Sequence, residues 1–346
     1  MKRLLLWIIL LPVLAVVALA APVIWVETAC RSTVTAPDHT PILPPEQARA
    51  ESRTLLTYPE WHIVHAYDDY AEVIRQEDPH DFAYLRAITG FWSSLCALSE
   101  ASGAHGGFPG ETKQMVYVIG VSFTLELAAK AAYEETLGRL ATWARGPEKA
   151  PTDILSAQQA ADYARFLQQV PWYKWDFRAD AAALRALPPG GLRDRERQVA
   201  LGLEYGAKAL YAGVIEDAVA QVGPDALRLR MIVTGIEPGA LAQMEGVAVI
   251  GARPEGIEIE TPRYRELTHL LDDMAALGAD FVEIAGNDDI LLTALTQEPR
   301  DDAMHRFKRQ GYGDWRELVM VKVPDLARTL RAMKDGPRQL EHIHDY

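Results

Sequence analysis

The feature that constrains this chain most is an uncharged, apolar run near its N-terminus. Two basic residues precede it, and residues 4–26, LLLWIILLPVLAVVALAAPVIWV, carry no charged side chain. A helix of roughly 20 apolar residues crosses the hydrocarbon core of a bilayer, which is about 30 Å thick. Trp7 and Trp25 lie near the ends of the run, where indole rings favour the membrane interface. The sequence therefore predicts a transmembrane anchor within residues 1–26, with the membrane as a partner through residues 4–26.

A cleaved signal peptide is the alternative interpretation of this segment. Ala18-Leu19-Ala20 has the small-residue pattern that a signal peptidase accepts. The apolar run continues past that point to Val26, which favours an uncleaved anchor. Under either interpretation the bulk of the chain crosses the membrane, and positive charges that precede a span stay in the cytoplasm. We therefore expect a single-pass protein of the inner membrane, with its N-terminus cytoplasmic and residues 27–346 in the periplasm.

Composition limits the class of partner. Of the 346 residues, 49% are hydrophobic, which is enough to build globular cores. The formal net charge of −13 opposes binding to phosphate backbones, and the chain has no basic stripe interleaved with aromatic residues. We therefore expect no nucleic-acid partner.

The chain has two cysteines, Cys30 and Cys96, which are too few for a disulfide framework. Cys96 follows Trp92 by one helical turn on the apolar side of a predicted helix, and this position indicates a buried thiol. A bridge between the two cysteines in an oxidising compartment is the open alternative.

The hydrophobic periodicity divides the chain into segments. Residues 27–50 are rich in proline and show no periodicity, so they predict a stiff tether. Helical periodicity follows, with helices expected near 57–74, 80–101, 112–145, 153–169, 178–187 and 192–221. After Gly223-Pro224 the pattern is mostly that of strands, expected near 227–235, 247–251, 257–261, 280–285, 290–295, 317–323 and 340–346, with helices at 263–277 and 325–334.

This order predicts an α+β fold. We expect an N-terminal transmembrane helix, a mainly helical domain over residues 51–223, and an α/β-sandwich domain over residues 224–346. Helices interleaved with strands that can pair antiparallel make a ferredoxin-like arrangement one candidate for the last domain. Because that fold serves enzymes, regulators and binding modules alike, it assigns no activity.

The segment TYPEWHIVHAYDDYAEV, residues 57–73, has the densest chemistry in the chain. It predicts a helix that starts with Thr57 as N-cap, Pro59 in the first turn and Glu60 closing a capping box. Apolar residues, among them two tyrosines, then form one stripe of the helix, which we expect to face a core.

His62, His65 and Asp69 project along one line on the opposite side of that helix. Two imidazoles and a carboxylate are acceptable ligands for Zn²⁺ or Fe²⁺, so these three residues are the candidate metal site, and a divalent metal is the candidate cofactor. The alternative is the solvated side of an amphipathic helix. Trp61 lies on the same side, and an indole is rarely left in water, so we expect this side to pack on another element or on a partner.

A second aromatic segment, PWYKWDF, contains Trp172, Tyr173 and Trp175. Aromatic side chains at this density line ligand grooves or form interface hot spots, so these residues and Trp61 are the candidate partner or ligand surface. The alternative is that they fill the space between two helices.

Four further features have ordinary structural interpretations. Glu126 and Lys130 are spaced as a pair within one helix, and they interrupt an apolar stretch that we judge too short for a second membrane span. Gly202, Gly206 and Gly213 indicate close internal packing of the helix 192–221. His342 and His344 alternate as on a polar edge strand, and the acidic pair at 288–289 is typical of a turn.

The sequence contains none of the hydrolase, kinase, dinucleotide or zinc-protease signatures, and it has no Cys-x-x-Cys pair. Catalytic residues therefore stay unknown, and no cofactor-binding motif is predicted. Our leading hypothesis is a membrane-anchored, extracytoplasmic binding or assembly module with a protein partner. The alternative is a metal-dependent enzyme that uses the His/Asp site, completed by a distant residue such as His105, Glu126 or Glu204.

Overall fold

The structure, a computed structural model, describes the backbone of residues 2–222 and 227–346 and the side chains of residues 16–216 and 227–346. The described helices are α1 (Lys2–Ala29), α2 (Arg53–Gln76), α3 (Tyr84–Ala101), α4 (Gly110–Tyr133), α5 (Arg139–Arg145), α6 (Pro151–Leu167), α7 (Phe177–Ala186), α8 (Leu192–Val222), α9 (Pro238–Leu241), α10 (Arg265–Ala276) and α11 (Val323–Lys334). The strands are β1 (Arg228–Thr234), β2 (Ala248–Arg253), β3 (Gly256–Pro262), β4 (Asp280–Ile284), β5 (Asp289–Thr296), β6 (His305–Lys308), β7 (Trp315–Lys322) and β8 (Arg338–His344).

Helices come first and two antiparallel sheets follow, which confirms the α+β class. The predicted helices and strands are present with ends shifted by a few residues. The short strand β6 was not predicted, because its four residues, HRFK, carry too little apolar alternation to register as a strand. The predicted boundary at Gly223-Pro224 lies outside the described residues.

The second half of the chain repeats one topology. Its two sheets have the strand orders β2-β3-β1-β4 and β6-β7-β5-β8. In each, a helix connects two strands that flank the first strand of the repeat, α10 between β3 and β4, and α11 between β7 and β8. Side chains of both sheets and both helices share one apolar core that includes Met231, Leu271, Leu292 and Leu330.

Helix α2 is the centre of the helical half. One side of it packs with α3, α4 and α6 around an apolar core that includes Tyr70, Ile74, Phe91 and Leu127. Its other side faces the sheet β6-β7-β5-β8, and Leu55 and Tyr58 share a small apolar cluster with that sheet. This position makes α2 the element that joins the two halves.

The predicted start of α2 is wrong. The helix begins at Arg53, so Pro59 lies inside it, and the Thr57 hydroxyl donates to the Thr54 carbonyl rather than capping the helix. Tertiary contacts extend the helix backwards, because Leu55 is completely buried and the Thr54 hydroxyl bridges two strands. That hydroxyl donates to the His344 carbonyl and accepts from the Leu291 N–H.

The proline-rich segment between α1 and α2 packs on the molecule. The carboxylate of Glu283 on β4 is fully buried and accepts the backbone N–H groups of Ile42 and Leu43 at 2.6 and 2.8 Å. The ring of His39 contacts the same carboxylate at 2.7 Å, and Leu43 itself is buried. Along these residues the segment therefore runs as a bound strap rather than as a free tether.

Cys30 and Cys96 form a disulfide, so the predicted free, buried thiol at Cys96 is wrong and the open alternative holds. The bridge ties the end of α1 to α3. Val26, on the last turns of α1, is buried in the apolar core of the helical half. The C-terminal end of α1 is consequently part of the folded body.

Candidate functional site

The polar side of α2 is buried against the sheet β6-β7-β5-β8 and, at His62, also against α3, and we name this contact the α2 seam. Trp61, His62, His65 and Asp69 are each at most 7% exposed. The interpretation of this side as a solvated helix face is therefore wrong. The expectation that it packs on another element of the chain is confirmed, because Trp61 stacks on the ring of His342 from β8 with 3.4 Å between the ring centroids.

His62 has a partner at each ring nitrogen. Its Nε2 donates to the carbonyl of Ala87 at 2.9 Å, and the hydroxyl of Tyr58 donates to Nδ1 at 3.4 Å. Burial lowers the pKa of His62 to about 4, so the ring is neutral at pH 7. Both nitrogens are thus engaged within the protein, and neither is directed toward a shared ligand.

His65 and Asp69 lie in a network of arginines and carboxylates. Nε2 of His65 is 3.6 Å from Oε2 of Glu341, and Oδ2 of Asp69 accepts the backbone N–H of Gln310 at 2.9 Å. Arg316 forms a two-pronged ion pair with Glu341. Burial raises the pKa of Asp69 to about 7, because neighbouring guanidinium groups at 3.8 to 3.9 Å offset the loss of hydration only in part.

These contacts bear on the predicted metal site. Among the residues that the structure describes, the ligand atoms of His62, His65 and Asp69 do not all lie within 4.8 Å of one another. The spacing along α2 places the three residues on one side of the helix, but each is directed to a different partner. The geometry consequently gives no support to a metal held by this set.

The C-terminal histidines complete the α2 seam. His342 and His344 are on the edge strand β8, as predicted, but both are buried rather than solvated. The Thr268 hydroxyl donates to Nδ1 of His342 at 2.9 Å. The ring of His344 stands edge-on to Tyr58 and Trp61, with interplanar angles of 71° and 82°, and burial lowers its pKa to about 3. The seam is therefore a packed joint of neutral imidazoles and aromatic rings.

The second predicted partner surface fills the space between helices. Trp172, Tyr173 and Trp175 are half-buried. The Trp175 indole donates to Asp180 at 2.7 Å, and its ring packs against Tyr163 and Phe166. Trp172 packs against Tyr211 of α8. These contacts support the alternative that the aromatic segment seals α6, α7 and α8 together.

A half-buried charge network lies between α4 and α8 and was missed in the sequence. Glu126 and Lys130 do not pair with each other: Lys130 binds Glu204 at 3.1 Å, and Lys208 binds Glu126 at 2.7 Å. The neighbouring lysines hold the pKa of Glu204 at about 2. A cavity of about 30 Å³ lies beside the network, which is the volume of about one water molecule. The charges balance, so the network serves to join α4 to α8 across the bundle.

A second cluster joins the two halves of the molecule. Glu51, His105 and Asp289 each offer one ligand atom, and these three atoms lie within 4.8 Å of one another. Glu51 precedes α2, His105 ends the 3-10 turn after α3 (Ser102–His105), and Asp289 begins β5. His105 and the acidic pair at 288–289 stood out separately in the sequence and Glu51 did not, and nothing in their spacing predicts that the three residues meet.

One exposed apolar surface lies on α8, where the sequence indicated internal packing. Helix α8 carries five exposed apolar side chains that fall within an arc of about 60° at 100° per residue: Leu192, Val199, Leu203, Leu210 and Val214. Gly202, Gly206 and Gly213 on the same helix have no described atom within 4 Å of an added Cβ, so the prediction that they pack internally is wrong. We name this surface, formed by the five apolar residues and the three glycines, the α8 face.

Helix α4 lies beside α8 and also exposes apolar side chains, including Met115, Val118 and Leu125. Among the described residues, the continuous helical segment Gly110–Arg145 is long and apolar enough to cross a membrane by length and composition. By length and composition, the prediction that this stretch is too short is therefore wrong. Glu126 and Lys130, which interrupt it, bind partners on α8 within the protein.

Comparisons with known proteins add no assignment. The chain matches no family model, and neither a curated protein nor a solved structure shows significant similarity to it. The roles of the residues described above consequently rest on their own geometry and chemistry.

Proposed function

We propose that this protein is a membrane-anchored, extracytoplasmic assembly module that pairs with a second copy of itself through the α8 face. The anchor is the apolar segment 4–26, and the folded body stands on the periplasmic side of the inner membrane. The observation that carries the proposal is the α8 face itself, a strip of exposed apolar side chains on the outside of the helical bundle.

Two features support the membrane anchor and the compartment. The backbone of α1 is helical from Lys2 to Ala29, which is long enough to cross the hydrocarbon core. The Cys30–Cys96 disulfide lies directly after this helix, and disulfides persist in oxidising compartments such as the periplasm. Both features fit a body that is exported and held at the outer surface of the membrane.

The α8 face has the composition of a helix-packing surface. Leu203 and Leu210 each expose 71% of their surface, and Gly206 lies between them on the same side. Glycine inside a helix costs about 1 kcal/mol relative to alanine, and here no contact within the described chain offsets that cost. Small residues on a helix surface allow another helix to approach closely. The glycines are therefore explained by a second helix against α8.

A second copy fits this surface better than lipid does. Arg195 of α8 is exposed and falls, at 100° per residue, on the same side as Gly202 and Gly213, and hydrocarbon would not accommodate such a charge. The α8 face is also self-complementary, because leucine side chains that project from it alternate with glycines, which leave space for the side chains of another helix. A two-fold axis near Gly206 would place leucines of each copy beside notches of the other. The anchors hold the copies in one plane, which raises their encounter rate.

The sheets and the enzyme alternative have a secondary place in this proposal. We take the strand-rich half as ferredoxin-like in kind, supported by the split β-α-β unit that each repeat contains. Pairing through α8 does not use the strand-rich half, whose outer surface stays available to a further protein partner. The alternative, a metal-dependent enzyme at His62, His65 and Asp69, is not carried further, because the ligand atoms do not converge.

Cross-linking of single-cysteine variants tests the pairing. With the native disulfide intact, we expect full-length Leu203→Cys and Gly206→Cys chains in membranes to give covalent dimers with a short bismaleimide. Asp301→Cys, on a fully exposed side chain of the other half, is the matched control and should stay monomeric. Equal yields at all three positions would contradict the proposal.

A spin label at Leu203 separates the environments of the α8 face. A face covered by a second copy restricts the label's access to both oxygen and a water-soluble nickel chelate. High access to oxygen alone would indicate lipid, and high access to the chelate would indicate water. Either of these two results would overturn pairing through this face.

A further inference from the structure

The structure assigns a second kind of site to this chain: we infer that Glu51, His105 and Asp289 bind a divalent transition-metal ion. Their three ligand atoms lie within 4.8 Å of one another. Nδ1 of His105 is 2.5 Å from Oε1 of Glu51 and 3.6 Å from Oδ2 of Asp289. Ligands of one tetrahedral ion are separated by about 3 to 3.5 Å when each bond is about 2.0 to 2.2 Å long. Small side-chain adjustments therefore suffice to bring all three onto one ion.

The backbone around each ligand is held by contacts that do not involve the three side chains. Next to Glu51, the Ser52 hydroxyl donates to the Gly107 carbonyl at 2.7 Å, which also ties down the loop that follows His105. At the other end, the Tyr346 hydroxyl donates to the backbone carbonyl of Asp289. The ligands are consequently positioned before any ion arrives, and this lowers the entropic cost of binding.

The ligand set indicates the class of ion. One imidazole and two carboxylates suit Zn²⁺, Fe²⁺ or Mn²⁺, whereas Ca²⁺ and Mg²⁺ prefer sites built from oxygen alone. Three protein ligands leave at least one coordination position for water. The side chains of Glu51, His105 and Asp289 are 5%, 15% and 11% exposed, so the site is largely shielded from solvent, although His105 and Asp289 each keep some contact with it. The ion and its water would enter through this exposed part of the site.

Lys322 is the competitor at this site. Its ammonium group lies 2.7 Å from Oδ2 of Asp289 and 3.1 Å from Asp288, so it partly neutralises the carboxylates. The lysine side chain is 52% exposed and bends on a flexible stem, which lets it swing into water when a stronger cation takes its place. Removing this charge should therefore tighten metal binding.

The site lies where the helical half meets the strand-rich half, so a bound ion would affect how the two halves are held together. The three ligands come from the strap before α2, the turn after α3 and the first residue of β5. A bound ion would cross-link the helical half to the strand-rich half through residues that are not part of the α8 face. This inference is independent of pairing between copies, and each can fail without the other.

Zinc titration of the full-length chain in detergent tests the site. After chelator treatment, we expect one Zn²⁺ per chain by calorimetry and a raised melting temperature on saturation. His105→Gln and Glu51→Gln should each weaken binding at least tenfold, and Lys322→Met should strengthen it. His269→Gln, an exposed histidine of α10, is the matched control and should bind as the parent does.

Two results would overturn the inference. One is stoichiometric zinc binding that His105→Gln and Glu51→Gln leave unchanged, which would place the ion elsewhere. The other is no saturable binding by either the parent or Lys322→Met. Because the variants are compared by melting temperature without metal, a variant that fails to fold is recognised, and the remaining ligand variant decides.

Discussion

The ring of His62 lies between α2 and α3, donating to the Ala87 carbonyl and packing edge-on against Phe91 and Phe307. Its spacing to His65 and Asp69 is that of metal ligands on one helix, but it is equally the spacing of any three residues on one helix side. What distinguishes the two cases is the element that approaches that side. At the residue scale, the same residue pattern on a helix is therefore compatible with a set of metal ligands or with packing between two elements.

We expect His62→Ala to lower the free energy of unfolding by about 2 to 4 kcal/mol, because a buried ring and its hydrogen bond are lost. We expect the metal content of the purified chain to stay the same. Urea unfolding and elemental analysis measure the two quantities, with His269→Ala as an exposed control that should change stability by less than about 0.5 kcal/mol. Loss of metal from His62→Ala with unchanged stability would restore the metal hypothesis at α2.

At the element scale, the segment between α1 and α2 shows how one side chain fixes a stretch without regular structure. The proline-rich composition of this segment correctly predicted that it forms neither helix nor strand. It could not predict the contact with Glu283, which lies more than 200 residues further along the chain. A buried carboxylate that accepts two backbone N–H groups resists replacement, because those donors would be left without partners. The strap and strand β4 consequently behave as one element.

Replacing Glu283 with alanine should release this strap. We expect amide hydrogen exchange at Ile42 and Leu43 to accelerate by at least tenfold, while exchange in α8 stays as in the parent. Glu258→Ala on β3, whose carboxylate binds arginine side chains, is the matched control and should leave the strap protected. Unchanged exchange at Ile42 and Leu43 in Glu283→Ala would show that other contacts hold the strap.

At the scale of the whole molecule, the hydrophobic periodicity of the sequence predicted most of the secondary structure. The order of helices and strands follows from 3.6-residue and two-residue patterns, which each segment carries by itself. Three features depend instead on contacts between positions that are distant in the sequence. They are the α2 seam, the ion pairs that Glu126 and Lys130 form with α8 rather than with each other, and the cluster of Glu51 with His105. His105 is 54 residues from Glu51, and no spacing rule connects them. The glycines of α8 were misassigned for the same reason, since only the structure shows which side of a helix is uncovered.

The α2 seam makes the stability of the whole molecule sensitive to acid. Burial lowers the pKa of His62, His65, His342 and His344, so the unfolded chain binds protons that the folded chain does not. Their contribution is fully present above pH 6.5 and is lost as the pH falls toward about 4. Asp69 and His105 act in the opposite direction, because their pKa values are raised and folding gains stability as they take up protons.

Burial also lowers the pKa of His305 and raises the pKa values of Asp180 and Asp289. With five histidines against four groups, we expect the free energy of unfolding to fall by on the order of 2 kcal/mol between pH 6.5 and pH 5.5. Urea unfolding at the two pH values measures the difference. His344→Phe removes one of the four buried imidazoles and should reduce the dependence on pH. A free energy of unfolding that rises over this interval would contradict the account of the seam.

The number of chains in the membrane-extracted particle tests the central claim most directly. Light scattering of the full-length protein in detergent should give two chains per particle. Leu203→Asp combined with Leu210→Asp places two charges on the α8 face and should give one chain per particle with an unchanged melting temperature. One chain per particle for the parent, or two for the folded double variant, would contradict assembly through α8.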